Sequence, residues 1–224
     1  MRKFAKLFAI LLAFVMVLSA TACGSDEPTP IKATSTKSSK TSSAKLSKKV
    51  KITEDAETLN GKVVAIIKNN NTKTVDLDVE VVFYDEDDKL LGSDDTTIYA
   101  VPKKSETVAW FYEVPEDYSK YEITVDVEES RYKGYASDIK IESNDTGSKI
   151  VAQAEIDTKV DLDSVELITL FYKNDEIVGF DNDYEYDVEA GDTLNMNFNY
   201  PYDSNYKTIE YDDFKVLVVS AQKY

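Results

Sequence analysis

The sequence predicts an all-β protein in which an export signal and a polar linker precede two tandem antiparallel β-sandwiches. Apolar and polar residues alternate over 75–84, 121–128 and 194–200, a pattern typical of strands with one buried and one solvated face. Beyond the N-terminal segment, no stretch has the apolar spacing of a long amphipathic helix. The third observation is an internal repeat.

The repeat has a nearly constant offset. Residues 62–65 (KVVA) recur at 149–152 (KIVA), 82–84 (VFY) at 170–172 (LFY), 91–92 (LG) at 178–179 (VG), and 114–115 (VP) at 200–201 (YP), with offsets of 86 to 88. A unit of this length with six or seven short strands has the size of an immunoglobulin-like sandwich. We place the first sandwich at 50–136 and the second at 137–224, and we expect each to fold independently.

The N-terminal segment is predicted to be a signal peptide over residues 1–22. Arg2, Lys3 and Lys6 precede an unbroken apolar run of twelve residues at 7–18, and small residues follow at 19–22. Twelve apolar residues are too few for a membrane-spanning helix, and the basic start and small-residue exit are typical of an export signal.

Residues 20–24 (ATACG) resemble the lipobox of bacterial lipoproteins, with Ala20 at the position where that family usually has Leu. The resemblance implies that Cys23 is diacylated and becomes the mature N-terminus. Two acyl chains give stable membrane anchoring where one does not. We therefore expect an extracytoplasmic protein that is held at the bacterial cell membrane by its lipid.

A linker is predicted over residues 23–49. Seven Ser, four Thr and six Lys lie among the 26 residues from Gly24 to Lys49. Such a composition buries too little apolar surface to offset the conformational entropy of ordering the chain. Its lysines either keep the segment soluble, which we favour, or lie along anionic lipid headgroups.

Charge and composition exclude several classes of function. The chain carries a formal charge of −16, and residues 50–224, with 17 basic and 40 acidic residues, carry −23. That sign argues against a nucleic-acid partner. The chain has no His, and its only Cys is Cys23, which leaves no internal disulfide and no Ser-His or Cys-His catalytic pair. No P-loop, GxSxG or HExxH motif occurs, so we expect no enzyme and no cofactor.

The segments 81–85 (VVFYD) and 169–173 (TLFYK) resemble the motif of FxLYD domains, which are small extracellular immunoglobulin-like modules of exported bacterial lipoproteins. The resemblance implies a non-enzymatic surface module and supplies no catalytic residues. We expect an interaction or spacer module whose partner is an envelope protein or a carbohydrate. The alternative is a lipoprotein that binds a small solute or Ca²⁺ and serves a membrane partner.

Two groups of acidic residues are candidates for the Ca²⁺ alternative. Asp85, Asp87 and Asp88 fall in the turn after the strand that ends at residue 84, and Asp181 and Asp183 follow the equivalent turn of the second copy. Several carboxylates that converge from adjacent loops can supply the six to eight oxygens that Ca²⁺ takes. The alternative, which we favour, is a pair of solvated turns in a highly charged protein.

The chain has 15 Tyr, and several of them lie in the second copy. Exposed tyrosines suit protein or carbohydrate recognition because they contribute a large contact area at low entropic cost. Our candidates for binding are Tyr184, Tyr186, Tyr202 and Tyr206, and the alternative is a Tyr-rich sheet surface without a ligand. We expect Trp110, the only Trp, to pack inside the core of the first sandwich.

Overall fold

A computed structural model describes residues 44–223. The predicted signal peptide, Cys23 and most of the predicted linker lie outside the described residues. Within 44–223, no helix has the length and apolar character needed to cross a membrane.

The described residues form twelve β-strands. The first copy contains β1 Val50–Glu57, β2 Val63–Asn69, β3 Val75–Tyr84, β4 Leu90–Val101, β5 Glu106–Phe111 and β6 Lys120–Glu129. The second copy contains β7 Ile139–Asp145, β8 Ile150–Ile156, β9 Leu162–Lys173, β10 Glu176–Val188, β11 Thr193–Phe198 and β12 Asp213–Gln222. A single 3-10 turn, Ala136–Asp138, precedes β7.

The strands form four antiparallel sheets of three strands each, and the two copies have the same topology. In the first copy, sheet A (β1-β2-β5) faces sheet B (β4-β3-β6). In the second copy, sheet C (β7-β8-β11) faces sheet D (β10-β9-β12). The predicted all-β fold with two tandem sandwiches is therefore confirmed.

The repeat is also present in the backbone conformation. Non-glycine residues with positive φ recur 87 positions apart, as Asp88 and Asp175 at 63° and 64° and as Ala100 and Asp187 at 54° and 53°. Each pair occupies the same turn or strand end in its copy. The duplicated unit thus keeps its turn geometry even where the side chains differ.

Two of the repeated sequence pairs meet in space. In the first copy Gly92 lies against Pro115, whose Cγ would be 3.4 Å from a Cβ placed on the glycine. In the second copy Gly179 lies closer to Pro201, whose Cβ would be 2.4 Å from such an atom. The glycine and the proline recur together because the proline ring packs on the strand where a side chain would stand.

Each sandwich has its own core between its two sheets. In the first, alternate residues of β3 (Val75, Leu77, Val79, Val81 and Phe83) point inward and meet the inner face of sheet A. In the second, inward residues of β8, β9 and β11 form the equivalent core, with Phe171 and Phe198 fully buried. The strict alternation of β3 is the pattern expected when only one sheet face is covered.

A third core lies between the sandwiches. The outer face of sheet A packs on the outer face of sheet D through Val64, Ile66, Val108, Ile168, Leu170, Ile177 and Val219. The sheets therefore stack in the order B, A, D, C, with the third core in the middle. Separation of the sandwiches would expose this apolar core to water, and independent folding of each copy stays a prediction.

Trp110 belongs to this third core. Its ring centroid lies 6.1 Å from that of Phe180 in the other sandwich. The prediction that Trp110 packs inside the first sandwich is wrong, because position 110 of β5 faces away from sheet B. Its neighbours in sequence, Ala109 and Phe111, face the core of the first sandwich instead.

Polar contacts also join the sandwiches. The Thr107 hydroxyl donates to the Val219 carbonyl at 2.9 Å in a buried position, and the Leu59 amide donates to the Val178 carbonyl at 3.1 Å. Lys215 pairs with Glu106 at 3.1 Å. These polar contacts fix the position of one sandwich against the other, whereas the apolar contacts supply most of the stabilisation.

The last residues of the predicted linker are part of the folded unit. Residues 44–47 form a helical turn, and Leu46 packs against the core of the first sandwich. The Leu46 carbonyl accepts a hydrogen bond from the Asn71 side chain at 3.1 Å. Leu46 is the one large apolar side chain between residues 33 and 49, and its partial burial explains why the folded part begins before the predicted boundary.

Candidate functional site

The acidic residues of the first copy stabilise the turn that contains them. Asp85 accepts hydrogen bonds from the backbone amides of Asp87 and Lys89, both at 2.9 Å. Asp88 pairs with Lys120 on β6. Asp85 thus stabilises the turn, and Asp88 forms an ion pair.

Asp181 and Asp183 lie on β10 and bind the neighbouring sheet. One Asp181 oxygen accepts hydrogen bonds from the backbone and side-chain amides of Asn199, at 2.6 and 3.1 Å. Asp183 accepts from the Asn197 backbone amide at 3.1 Å. Because β10 belongs to sheet D while these partners lie on β11 of sheet C or just beyond its end, both carboxylates join the two sheets of the second sandwich.

The first sandwich contains an equivalent aspartate that joins its two sheets. Asp94, which is 87 residues before Asp181, accepts hydrogen bonds from the backbone amides of Tyr112 and Glu113 at 3.1 and 3.2 Å. Tyr112 in turn is 87 residues before Asn199. An aspartate that connects the fourth and fifth strands is therefore a property of the repeated unit.

The acidic candidates are not brought together as a metal site. Among residues 44–223, no group of three or more His, Cys, Asp or Glu side chains is placed to hold a metal ion. The two groups belong to different sandwiches, and the carboxylates of Asp85, Asp181 and Asp183 accept hydrogen bonds from backbone amides. Burial raises the pKa of the Asp181 carboxyl above its ordinary value.

The four candidate tyrosines form two aromatic pairs. Tyr184 and Tyr186 on β10 make an edge-to-face contact with ring centroids 5.1 Å apart, and they are 54% and 63% exposed. Tyr202 and Tyr206 are stacked at 5.8 Å. Such a pair of exposed rings presents a rigid amphipathic surface to solvent.

Both pairs lie along the junction between the sandwiches. Phe180, on the same strand as Tyr184, contacts Trp110 and also Tyr112, whose ring centroid is 6.2 Å away. Tyr202 lines a small pocket with Tyr112 and Phe180, and Tyr186 lines a larger groove with Trp110. The aromatic residues thus continue from one exposed pair to the other.

The larger opening, which we call the junction groove, has a volume of about 410 Å³. Strands β4 and β5 form one wall, and β9, β10 and β12 form the other. The side chains that give it chemical character are Tyr99, Trp110, Asp163, Glu166, Tyr186 and Gln222. It exists only because the sandwiches are packed together, since each contributes one wall.

The charged side chains that line the junction groove are carboxylates. Glu166 accepts from the Asn182 side chain at 3.2 Å, and burial raises the pKa of its carboxyl. Gln222 is 7% exposed, and its side-chain oxygen has no hydrogen-bond partner within the described part of the chain. No Lys or Arg is among the described residues that line the groove.

The smaller pocket, of about 140 Å³, is lined by a cation of the chain itself, Lys62. The Lys62 ammonium lies 4.3 Å from the Tyr112 ring centroid and 5.5 Å from that of Phe180. Burial lowers the pKa of Lys62, although Asp181 opposes the effect. This arrangement is a cation–π contact that joins the sandwiches.

Among the residues around the groove, Tyr184 and Tyr186 are predicted binding residues, whereas Trp110, Glu166 and Gln222 are not. The missing information was that an outer sheet face is buried. A signal for it exists in the sequence, because the apolar runs 63–67 and 167–171 lack the alternation of their neighbours. Continuous apolar runs indicate strands covered on both faces.

No protein-family model matches the chain, and no curated protein sequence matches it. Among solved structures, the chain is similar to the transglutaminase of red sea bream, at 10% identity and a TM-score of 0.20, over 78% of this chain and 31% of the transglutaminase. The chain thus spans less than a third of the length of that enzyme. A TM-score this low carries no argument about fold or function.

Proposed function

We propose that the chain is a lipid-anchored, non-enzymatic binding module of the bacterial cell surface and that it holds a macromolecular partner in the junction groove. The observation that carries the proposal is the groove itself, which combines a half-buried Trp110, the exposed Tyr99 and Tyr186, and the Glu166 carboxylate. Concave surfaces with aromatic walls and a few oriented polar groups are typical binding sites.

The anchoring part of the proposal rests on the lipobox resemblance around Cys23 and on the apolar run before it. A linker between the lipid and residue 44 would hold the groove at a distance from the membrane. Replacement of Cys23 by Ala should leave the protein unlipidated and released from the membrane fraction. Unchanged membrane partitioning of this variant would contradict the anchor.

The binding part is supported by the position of the aromatic residues. Tyr184 and Tyr186 remain more than half exposed although they extend the junction surface to which Phe180 contributes. Exposed aromatic side chains next to a groove carry a hydration cost that a partner can relieve. A pure spacer has no need of such a surface, so we favour the interaction module over the spacer.

The test is capture of a partner from cell envelopes by the full-length protein and by two variants. Tyr186→Ala, which removes a ring that lines the groove, and Tyr184→Ala, which removes the ring packed against Tyr186, should each reduce the captured amount by about tenfold, as expected for aromatic residues of an interface. The matched control is Tyr132→Ala, which removes an exposed tyrosine outside the groove lining. Equal capture by all four proteins would contradict a role for the groove.

A further inference from the structure

The ligand class of the junction groove follows from its polar groups. It offers the Glu166 carboxylate, the hydroxyls of Ser164 and Ser220, and the side-chain oxygen of Gln222. Because carboxylates are acceptors only and no Lys or Arg is present among the described lining residues, the complementary ligand is a cation that donates several hydrogen bonds.

The side-chain oxygen of Gln222, which has no partner in the described chain, independently indicates a ligand that donates hydrogen bonds. The side chain is more than nine-tenths buried, and its nitrogen donates to the Tyr99 carbonyl at 3.4 Å. That contact turns the amide so that its oxygen is left without a donor in the described chain. A buried acceptor without a partner is destabilising, so a donor that reaches this oxygen from the groove would be stabilising.

The aromatic walls select among cations. Trp110 and Tyr186 line the groove together with Glu166, so a cation in the groove lies next to aromatic rings and a carboxylate at once. A guanidinium is planar, stacks on aromatic rings and donates two parallel hydrogen bonds, whereas an ammonium is a compact and strongly hydrated charge. The combination therefore favours arginine over lysine.

We propose that the junction groove binds an arginine-bearing segment of a partner protein, with the guanidinium held between the aromatic walls by Glu166 and the Gln222 side-chain oxygen. The inference rests on the proposed function, since it names the ligand of the same groove. The net charge of −23 on residues 50–224 would also steer a basic segment toward the protein.

Trp110 is a built-in reporter, because it is the only Trp of the chain and lines the groove. The experiment titrates the full-length protein with a blocked hexapeptide of alternating Ser and Arg and follows Trp110 fluorescence. Matched hexapeptides with Lys or Glu in place of Arg are titrated in parallel. We expect a saturable change with the Arg peptide, weaker binding of the Lys peptide and none of the Glu peptide.

Three variants separate a site from general charge attraction. Glu166→Gln and Gln222→Met should each weaken binding of the Arg peptide by about tenfold, as expected for hydrogen bonds to a charged group. Glu80→Gln, which removes an exposed carboxylate on the outer face of sheet B, should leave it unchanged. Thermal melting of each variant shows that it is folded, and the Glu166→Gln and Gln222→Met substitutions are independent tests.

Several results would overturn the proposal. Equal binding by all variants, or equal affinity for the Arg and Lys peptides, would show attraction by surface charge alone. Tighter binding of a peptide of residues 31–49 would assign the groove to the Lys-rich segment of the chain itself. Tighter binding of chitotriose would assign it to a saccharide, and the proposed function would then stand. Failure of the proposed function itself would appear as unchanged envelope capture by the Tyr184→Ala and Tyr186→Ala variants.

Discussion

Sheets A and C are built from equivalent strands of the two copies, yet their outer faces have opposite character. On sheet A this face carries Ile66, Val108 and Trp110, which are packed in the third core. The positions 87 residues later on sheet C are Gln153, Asn195 and Asn197, and all three are exposed. The same topology therefore supports a buried face in one copy and a solvated face in the other.

Sheets D and B show the reverse difference. Ile168 and Leu217 of sheet D belong to the third core, whereas the equivalent positions of sheet B hold Glu80 and Thr124, which are exposed. The first copy thus buries the outer face of its first sheet, and the second copy buries that of its second sheet. Because the outer faces of sheets B and C are polar, a third module has no apolar face on which to stack.

The comparison shows that side-chain patterning, and not strand order, decides which face becomes an interface. It also explains the position of the groove. The junction is heterologous, since it pairs the first sheet of one copy with the second sheet of the other, and Tyr184 and Tyr186 of β10 remain exposed next to it. The following exchanges between equivalent positions test this account.

The largest effect is expected from Ile168→Glu, which places at the junction the residue type that the first copy has at position 80. Ile168 is fully buried, so the variant introduces an unpaired buried charge and should lose about 3–5 kcal/mol of unfolding free energy. Chemical denaturation measures the loss. The matched exchange, Glu80→Ile on the exposed face of sheet B, should change stability by less than about 0.5 kcal/mol.

The second exchange concerns the glycine–proline contact. Gly179→Ala should destabilise the protein by about 1–3 kcal/mol, because the added Cβ would overlap the Pro201 ring. Gly92→Ala should be close to neutral, since Pro115 leaves ordinary contact distance. Thermal melting of both variants compares them directly. Equal effects in the two copies would contradict the closer packing of the second.

The third exchange concerns a turn with positive φ. Gly191 has φ of 87°, and the position 87 residues earlier holds Lys104 with φ of 62°. Gly191→Lys should cost about 1 kcal/mol because a side chain is disfavoured in the left-handed region. Lys104→Gly should change stability by less than about 0.5 kcal/mol, since relief of that conformation is offset by greater freedom of the unfolded chain. Denaturant midpoints of the two variants provide the measurement.

The smallest effect should come from Glu166→Gln. Burial raises the pKa of Glu166 in the folded state, so its ionised form is less stable in the folded protein than in the unfolded chain. The penalty is fully present above the raised pKa and disappears as the pH falls below the ordinary range of a glutamate. The variant should therefore melt slightly higher than the wild type at pH 7 and at the same temperature near pH 3.

Asp78→Asn is the control for this last exchange, because Asp78 is the equivalent residue of sheet B and its carboxylate accepts a hydrogen bond from Thr97 at 2.8 Å in an exposed position. It reports the effect of removing a carboxylate outside the junction. A lower melting temperature of Glu166→Gln at pH 7 would contradict a desolvated carboxylate in the groove.

Much of the fold could be predicted from the sequence because the relevant signals are local. The alternation of 75–83 identifies β3, and the repeated VG and YP pairs mark positions that meet in the structure. The packing of sheet A on sheet D is not predicted, because the alternation pattern assumes that every strand has one solvated face. The groove could not be predicted, since Trp110, Glu166 and Gln222 are distant in sequence and become neighbours only through the packing of sheet A on sheet D.

The roles of the aspartates show the same limit. Their sequence spacing places Asp181 and Asp183 with the preceding turn. In the structure their oxygens are directed to the backbone of the 197–199 segment. Local spacing alone does not reveal that a carboxylate on one sheet satisfies an amide on another.

The central claim is that sheets A and D form a shared core that holds the sandwiches together and shapes the groove. Equilibrium unfolding of the full-length protein, followed both by Trp110 fluorescence and by far-ultraviolet circular dichroism, tests it most directly. The account predicts that both signals change in one coincident transition, with Trp110 emission typical of a partly buried indole until the strands unfold. Emission of a fully solvated indole in the native protein, or a fluorescence transition before any loss of β-structure, would contradict it.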